Sequence, residues 1–140
     1  MSGQSFVVQR RVRFGDCDPG GVLYTPRMAY YVVEAVLDFL SEVLGGPAER
    51  RILDLGILPP ARALSIEFLK PLAWDDKLEI HVRVKEMRTH AISFSVRGLN
   101  SSGAAAFSSQ LTQVCVSPKT RRPVEIPAVL REALADYLGG

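Results

Sequence analysis

Two aspartates, a Pro-Gly-Gly turn and a helix start crowd together in the segment FGDCDPGGVLYTP, which runs from Phe14 to Pro26. A carboxylate beside the exposed N–H groups of a helix N-terminus supplies two parts of an acyl-transfer site, a nucleophile or base and a donor for a developing oxyanion. Asp18 is the candidate carboxylate. A purely structural alternative stands beside it: D-P-G-G is a good turn, and its carboxylate can bond a local amide. Gly20 and Gly21 permit positive φ or a close approach of backbone to a ligand. No cofactor is called for, and Cys17 and Cys115, almost a hundred residues apart, lack the spacing of a zinc site.

The elements on either side of this loop follow from periodicity. Apolar residues Phe6, Val8, Val12 and Phe14 share one parity, with Gln9, Arg11 and Arg13 on the other, which predicts a half-buried strand over residues 6–14. After the loop, Met28, Tyr31, Val32, Ala35, Val36, Phe39, Leu40 and Val43 recur at steps of three and four, opposite Glu34, Asp38, Ser41 and Glu42. This predicts an amphipathic helix of about five turns, roughly 28 Å long. Thr25 suits its N-cap, Pro26 its first position, and Gly45-Gly46 its stop. Residues 47–56 can hold a short second helix. Strands follow at 62–69, 77–87, 91–99 and 104–116, two of them cleanly alternating, and Asn100-Ser101-Ser102-Gly103 reads as a hairpin turn between antiparallel neighbours. Pro127 opens a terminal helix that Gly139-Gly140 stops. Strand, long helix and four antiparallel strands predict an α+β domain, residues 1–140, in which a curved sheet wraps one helix. Its open edges predict at least a homodimer.

Composition excludes several function classes. The 140 residues suit one domain that buries roughly two-thirds of its unfolded surface. A hydrophobic content of 47% argues for a packed core, and a net charge of +2 is too small for a nucleic-acid surface. The N-terminus lacks the apolar stretch of a signal peptide, and no run approaches a membrane span. The expectation is a cytoplasmic protein with reduced thiols and neither a nucleic-acid nor a membrane partner.

In FGDCDPGGVLYTP and the helix after it, the chain resembles the 4-hydroxybenzoyl-CoA thioesterase family of hot-dog enzymes. RVRFGDCDPGGVLYTPR is similar to that family's first strand and active-site loop, FLKPLAWDDKLEI to the strand and turn that follow, and RRPVEIPAVLREAL to its C-terminal tail. The resemblance implies an acyl-CoA thioesterase with Asp18 as nucleophile or general base and the Thr25 backbone N–H as oxyanion donor, assembled as a homodimer or homotetramer. It makes Asp16 a loop-shaping residue and Gly20, Gly21 and Tyr24 part of the substrate site. The family's basic cluster for the CoA phosphates falls on Arg88-Thr89-His90, so Arg88 and His90 are the implied anchors, with Lys70, Arg121 and Arg122 as other basic candidates. A related branch associated with the Tol-Pal envelope system carries a histidine where this chain has Thr25, which places the chain nearer the branch acting on aromatic thioesters. Glu34 and Asp38 read as a solvated helix face.

Two competing functions make different demands on the residues. A hot-dog hydratase needs a histidine five residues after its aspartate, but Asp16 and Asp18 are followed at that spacing by Gly21 and Leu23. A non-catalytic module that binds acyl thioesters or a carrier protein would keep the fold and dispense with Asp18. Phe14, Tyr24, Tyr30 and Tyr31 can line an aromatic pocket or belong to core and interface.

Overall fold

Alternation along the strands decides what the long helix meets. A computed structural model describes residues 4–139. Its elements are β1 (Phe6–Arg11), α1 (Thr25–Leu44), α2 (Ala48–Asp54), β2 (Ala61–Phe68), β3 (Lys77–Met87), β4 (Ala91–Leu99), β5 (Ala105–Val114) and α3 (Ala128–Leu134), with short 3-10 turns at Phe14–Asp16 and Ala135–Tyr137. The strands form one five-stranded sheet in the order β1-β3-β4-β5-β2, antiparallel throughout. Leu78, Ile80, Val82 and Val84 of β3, Phe94 and Val96 of β4, and Phe107 and Leu111 of β5 are buried with Tyr31, Val32, Ala35, Val36, Phe39 and Leu40 of α1. Phe39 stands at the centre, its ring 4.8 Å from Tyr137, 5.6 Å from Phe6 and 6.2 Å from Phe94. Each such side chain contributes about 1.5–3 kcal/mol by leaving water. The sheet curls around one helix, the hot-dog arrangement that the resemblance implies.

Several boundaries differ from the sequence reading; β2 and α2 shift by one or two residues, and four others differ for a local reason. Strand β1 ends at Arg11 because Val12 turns to bond the Asp75-Asp76 turn at both its N–H and its carbonyl, and Phe14 then coils outward, 78% exposed, against the edge of Trp74. Thr25 is not the N-cap of α1. Tyr24 occupies that position at φ −66°, ψ 127°, and its carbonyl accepts the Arg27 N–H at 2.8 Å, so the helix begins one residue earlier. Strand β5 stops at Val114, beyond which Cys115 bonds the carbonyl of His90 and Val116 pairs with Leu58. The terminal helix ends at Leu134, well before Gly139, because the chain tightens into a 3-10 turn that lays Tyr137 on Phe39 and leaves Leu138 parallel to Val84. Gly140, the second half of the expected stop, lies outside the described residues.

The expected stop of α1 is present: Gly45 sits in the left-handed region at φ 72° and closes onto the Ser41 carbonyl. Among the described residues no helix is long and apolar enough to cross a membrane.

Candidate active site

The loop between β1 and α1 is a small hairpin. Asp16 accepts the Tyr24 N–H at its carbonyl at 2.9 Å, Cys17 pairs with Leu23, and the Asp18 N–H donates to the Val22 carbonyl at 2.9 Å. The turn at its tip is closed by the Gly21 N–H donating to the Asp18 carbonyl, with Gly21 at φ +84°, a conformation costly for any residue with a Cβ. The returning arm is pinned in turn, since the Leu23 N–H donates to the Leu72 carbonyl and Val22 pairs with Ala73. One side of the hairpin therefore leads to the sheet and the other feeds straight into the helix start.

Asp18 is half-buried, and its Oδ1 accepts the Gly20 N–H at 2.9 Å. That is the local amide bond expected of a structural turn. It leaves Oδ2 without a donor among the described residues, so the turn orients the carboxylate without consuming it. Thr25 supplies the second part. It is the first residue of α1, its N–H donates to no group among the described residues, and Pro26 has no N–H at all. An unpaired N–H at the positive end of a five-turn helix is where a developing negative charge is best held.

Asp16 ties these two parts together. Its carboxylate accepts the Tyr31 hydroxyl at 2.6 Å and the Arg13 N–H at 3.3 Å, and the Arg27 guanidinium stands 3.5 Å away. Burial pushes its carboxyl up, but the Tyr31 bond, the Arg13 amide and the charges of Arg10 and Arg27 outweigh burial and hold it below the usual range. Tyr31 is fully buried, and burial followed by its bond to Asp16 pushes its hydroxyl up to about 12. Arg10 lies 3.8 Å over the Tyr31 ring and is ion-paired with Glu34 one turn farther along α1. Glu34 is thus an anchor for Arg10 rather than a freely solvated residue. Asp38 beside it is pushed up by burial and by the Glu34 charge.

A cleft of about 290 Å³ opens next to the loop, lined by Val22, Leu23, Met28, Phe68, Leu69, Lys70, Pro71 and Leu72. Of the basic candidates from the sequence, Lys70 is the one in this lining. Arg88 and His90 are elsewhere. They follow the far end of β3, an eleven-residue strand whose start adjoins the Asp75-Asp76 turn under the loop, so roughly 35 Å of strand separates them from Asp18 within one chain. Arg88 there pairs with Glu86 at 2.7 Å, and its carbonyl accepts a bond from Arg131. Arg121 and Arg122 belong to a turn folded back on Ser117. Tyr24 is placed at the helix cap and is 54% exposed, and Tyr30 and Phe14 are also exposed, whereas Tyr31 is in the core. The four aromatics do not line one pocket in the single chain. His81 bonds Glu79 at 2.7 Å on β3, away from the loop. Both thiols are pushed up, foremost by burial, which suits packing rather than reactivity.

Sequence reading names Tyr31 only as a pocket or core aromatic; it missed the bond from Tyr31 to Asp16 and the place of Arg10 over that ring. A signal for each was present. A tyrosine in an apolar helical stripe needs a partner for its hydroxyl, and Arg10 falls on the inward parity of β1 with Phe6 and Val8, where an unpaired charge is not tolerated.

Residues 12–134 match the thioesterase-like superfamily. The 1,4-dihydroxy-2-naphthoyl-CoA hydrolase of Thermosynechococcus vestitus is 29% identical over 119 residues, 85% of this chain and 81% of that protein. The 4-hydroxybenzoyl-CoA thioesterase of a Pseudomonas species is 28% identical over 86 residues, 61% of each chain. A crystal structure of a thioesterase superfamily protein from a Jannaschia species superposes with a TM-score of 0.88 at 27% identity, covering 97% of this chain and 94% of that one. With the hairpin, the helix start and the curled sheet in place, the chain belongs to the thioesterase-like superfamily of hot-dog thioester hydrolases.

Proposed function

We propose that this protein hydrolyses an acyl-CoA thioester to a carboxylic acid and free CoA, with Asp18 as the reacting carboxylate and the Thr25 N–H as oxyanion donor. The observation that carries the reading is the pairing of a carboxylate with one bare oxygen and an unpaired helix-start N–H across one short hairpin. A thioester is already activated and its thiolate leaves without a strong acid, so these two groups suffice. In the nucleophilic form, Asp18 adds to the carbonyl, the C–S bond breaks to release the thiolate, and water cleaves the resulting mixed anhydride. In the general-base form, Asp18 takes a proton from the attacking water and the C–S bond breaks from the tetrahedral adduct. The acyl group is of the aromatic or short to medium class, in keeping with the aromatic-thioester relatives.

A homodimer completes this reading. Strand β2 is one edge of the sheet and is exposed along nearly its whole length. Its Ala61 end lies with Val114 and His90, and its Phe68 end runs into the Leu69–Leu72 segment beside the loop. Antiparallel pairing of β2 with a second copy would bring Arg88 of the partner subunit to the Asp18 end of this one. The CoA phosphates would then meet Lys70 from one chain and Arg88 from the other.

The bond from Gly20 to Asp18 favours the second reading, a non-catalytic acyl-thioester binder in which Asp18 only shapes the turn. Free-thiol release from a panel of benzoyl-, short- and long-chain acyl-CoA esters separates the two. Asp18→Asn keeps the turn's acceptor oxygen, so the expected result is loss of hydrolysis with CoA-ester binding and the circular dichroism spectrum retained. Wild-type turnover in Asp18→Asn removes Asp18 from the mechanism.

A further inference from the structure

We infer that Tyr31 is a positioning residue for thioester cleavage: its hydroxyl, acting through Asp16, sets the Thr25 N–H against the Asp18 carboxylate. The inference rests on the proposed thioesterase reading and deepens it. The path is short and continuous. The Tyr31 hydroxyl donates to the Asp16 carboxylate at 2.6 Å, and the Asp16 carbonyl accepts the Tyr24 N–H at 2.9 Å, one peptide before the Thr25 N–H. Asp16 also lies two residues before Asp18 on the other arm of the same hairpin. One carboxylate is therefore fastened to the interior of α1 while its own main chain joins the two arms that carry the reacting groups. The relative placement of those groups follows the Asp16 side chain.

Packing alone does not account for this. A phenylalanine would fill the same buried volume, and six of the seven buried residues of α1 make no side-chain hydrogen bond. The ring is held as well as buried, since Arg10 covers it at 3.8 Å and is itself held by Glu34. A buried hydroxyl aimed at a charged acceptor makes a strong bond, and losing it leaves Asp16 with only a long amide contact and a half-exposed arginine. A displacement of about 1 Å in a reacting pair is enough to lower turnover severely.

The test is a mutant cycle between Tyr31→Phe and Thr25→Pro on the acyl-CoA ester that the wild type cleaves best. Tyr31→Phe alone is expected to lower kcat on the order of 10-fold with KM within about twofold, because the oxyanion contact is made only in the transition state. In the Thr25→Pro background, where the donor is already gone, Tyr31→Phe is expected to cost less than about twofold. Unchanged kcat in Tyr31→Phe, or the same loss in both backgrounds, overturns the inference. If Tyr31→Phe does not fold, Asp16→Ala removes the same bond from the other side, and undiminished kcat there overturns it equally. A readout independent of activity is the amide spectrum: Tyr31→Phe should shift the Thr25 amide resonance and speed hydrogen exchange at the Tyr24 amide. A wild type that cleaves no thioester defeats the proposed function alone, whereas unmoved Tyr24 and Thr25 amides defeat the positioning role alone.

Discussion

A carboxylate that accepts one amide hydrogen bond and keeps its other oxygen bare is oriented without being spent, and Asp18 is in that state. Asp16, two residues earlier, is the opposite case: its acceptor capacity goes to Tyr31, Arg13 and Arg27, so it shapes the loop. The two carboxylates of the same DxD spelling thus differ in what each side chain touches. The charge chemistry around Tyr31 can be tested directly. Its folded hydroxyl is raised from the ordinary 10 to about 12, so the neutral form is favoured by folding. The stability this contributes is fully present below pH 10 and is lost as pH rises toward 12. Urea midpoints measured from pH 8 to 12 should therefore fall more steeply for wild type than for Tyr31→Phe, and parallel curves would show that the hydroxyl is not coupled to folding. Asp16 has the other sign. Its carboxyl is lowered, so its contribution holds above the ordinary carboxylate range and fades as pH drops through its folded value.

At the scale of the element, the proposed chemistry and the fold draw on the same backbone in the first turn of α1. In the proposed mechanism Thr25 contributes only its N–H, so Thr25→Ala is expected to leave kcat close to wild type. Thr25→Pro deletes an N–H that has no partner to lose and sits where proline is well accommodated, after a Tyr24 already at the extended angles that a following proline demands. It is expected to fold with a melting temperature near wild type while kcat drops about 100- to 1000-fold, the usual cost of one oxyanion donor. Thermal melts together with steady-state kinetics check both halves, and a Thr25→Pro enzyme of full activity would place the oxyanion elsewhere. The loop on the other side is rigid for a separate reason. It is bonded to the Leu72–Ala73 segment and, through Val12, to the Asp75-Asp76 turn, so the site is carried by the sheet rather than by a free loop.

At the scale of the whole molecule, the two edges of the sheet are treated differently. The β1 edge continues into the C-terminal segment, where Leu138 pairs with Val84 and Gly139 bonds its carbonyl. The β2 edge is bare, and Leu64 and Phe68 on it and Leu69 just after it are each between 41% and 53% exposed. An open edge next to exposed apolar side chains suits the dimer pairing proposed above. Replacing Leu64 by Lys is expected to convert a dimer to a monomer in sedimentation equilibrium and to raise KM for the CoA ester at least 10-fold, since the partner's Arg88 would be withdrawn. A wild-type monomer that cleaves the ester normally would refute both the pairing and the shared anchor.

Much of this was legible along the chain, and the limit has a physical cause. Periodicities of two and of three to four are local properties, so β3, β4 and α1 could be read from Leu78-Ile80-Val82-Val84, Ile92-Phe94-Val96 and the Met28–Val43 stripe. The D-P-G-G turn and the helix start were local as well, because Gly21 and Pro26 restrict backbone angles wherever they occur. Long-range juxtaposition was not local. Tyr31 meeting Asp16, Arg10 reaching from β1 to lie over Tyr31, and Lys70 arriving beside the loop depend on how the sheet curls around the helix. The same holds for the distance between Arg88 and Asp18, since each is a plausible site residue by type and only the course of β3 puts them at opposite ends. By itself the sequence determined the local turns, the helix start and which residues are candidates for the chemistry; the tertiary structure alone decided which of them meet, because a partner across the fold leaves no trace in the spacing of its neighbours.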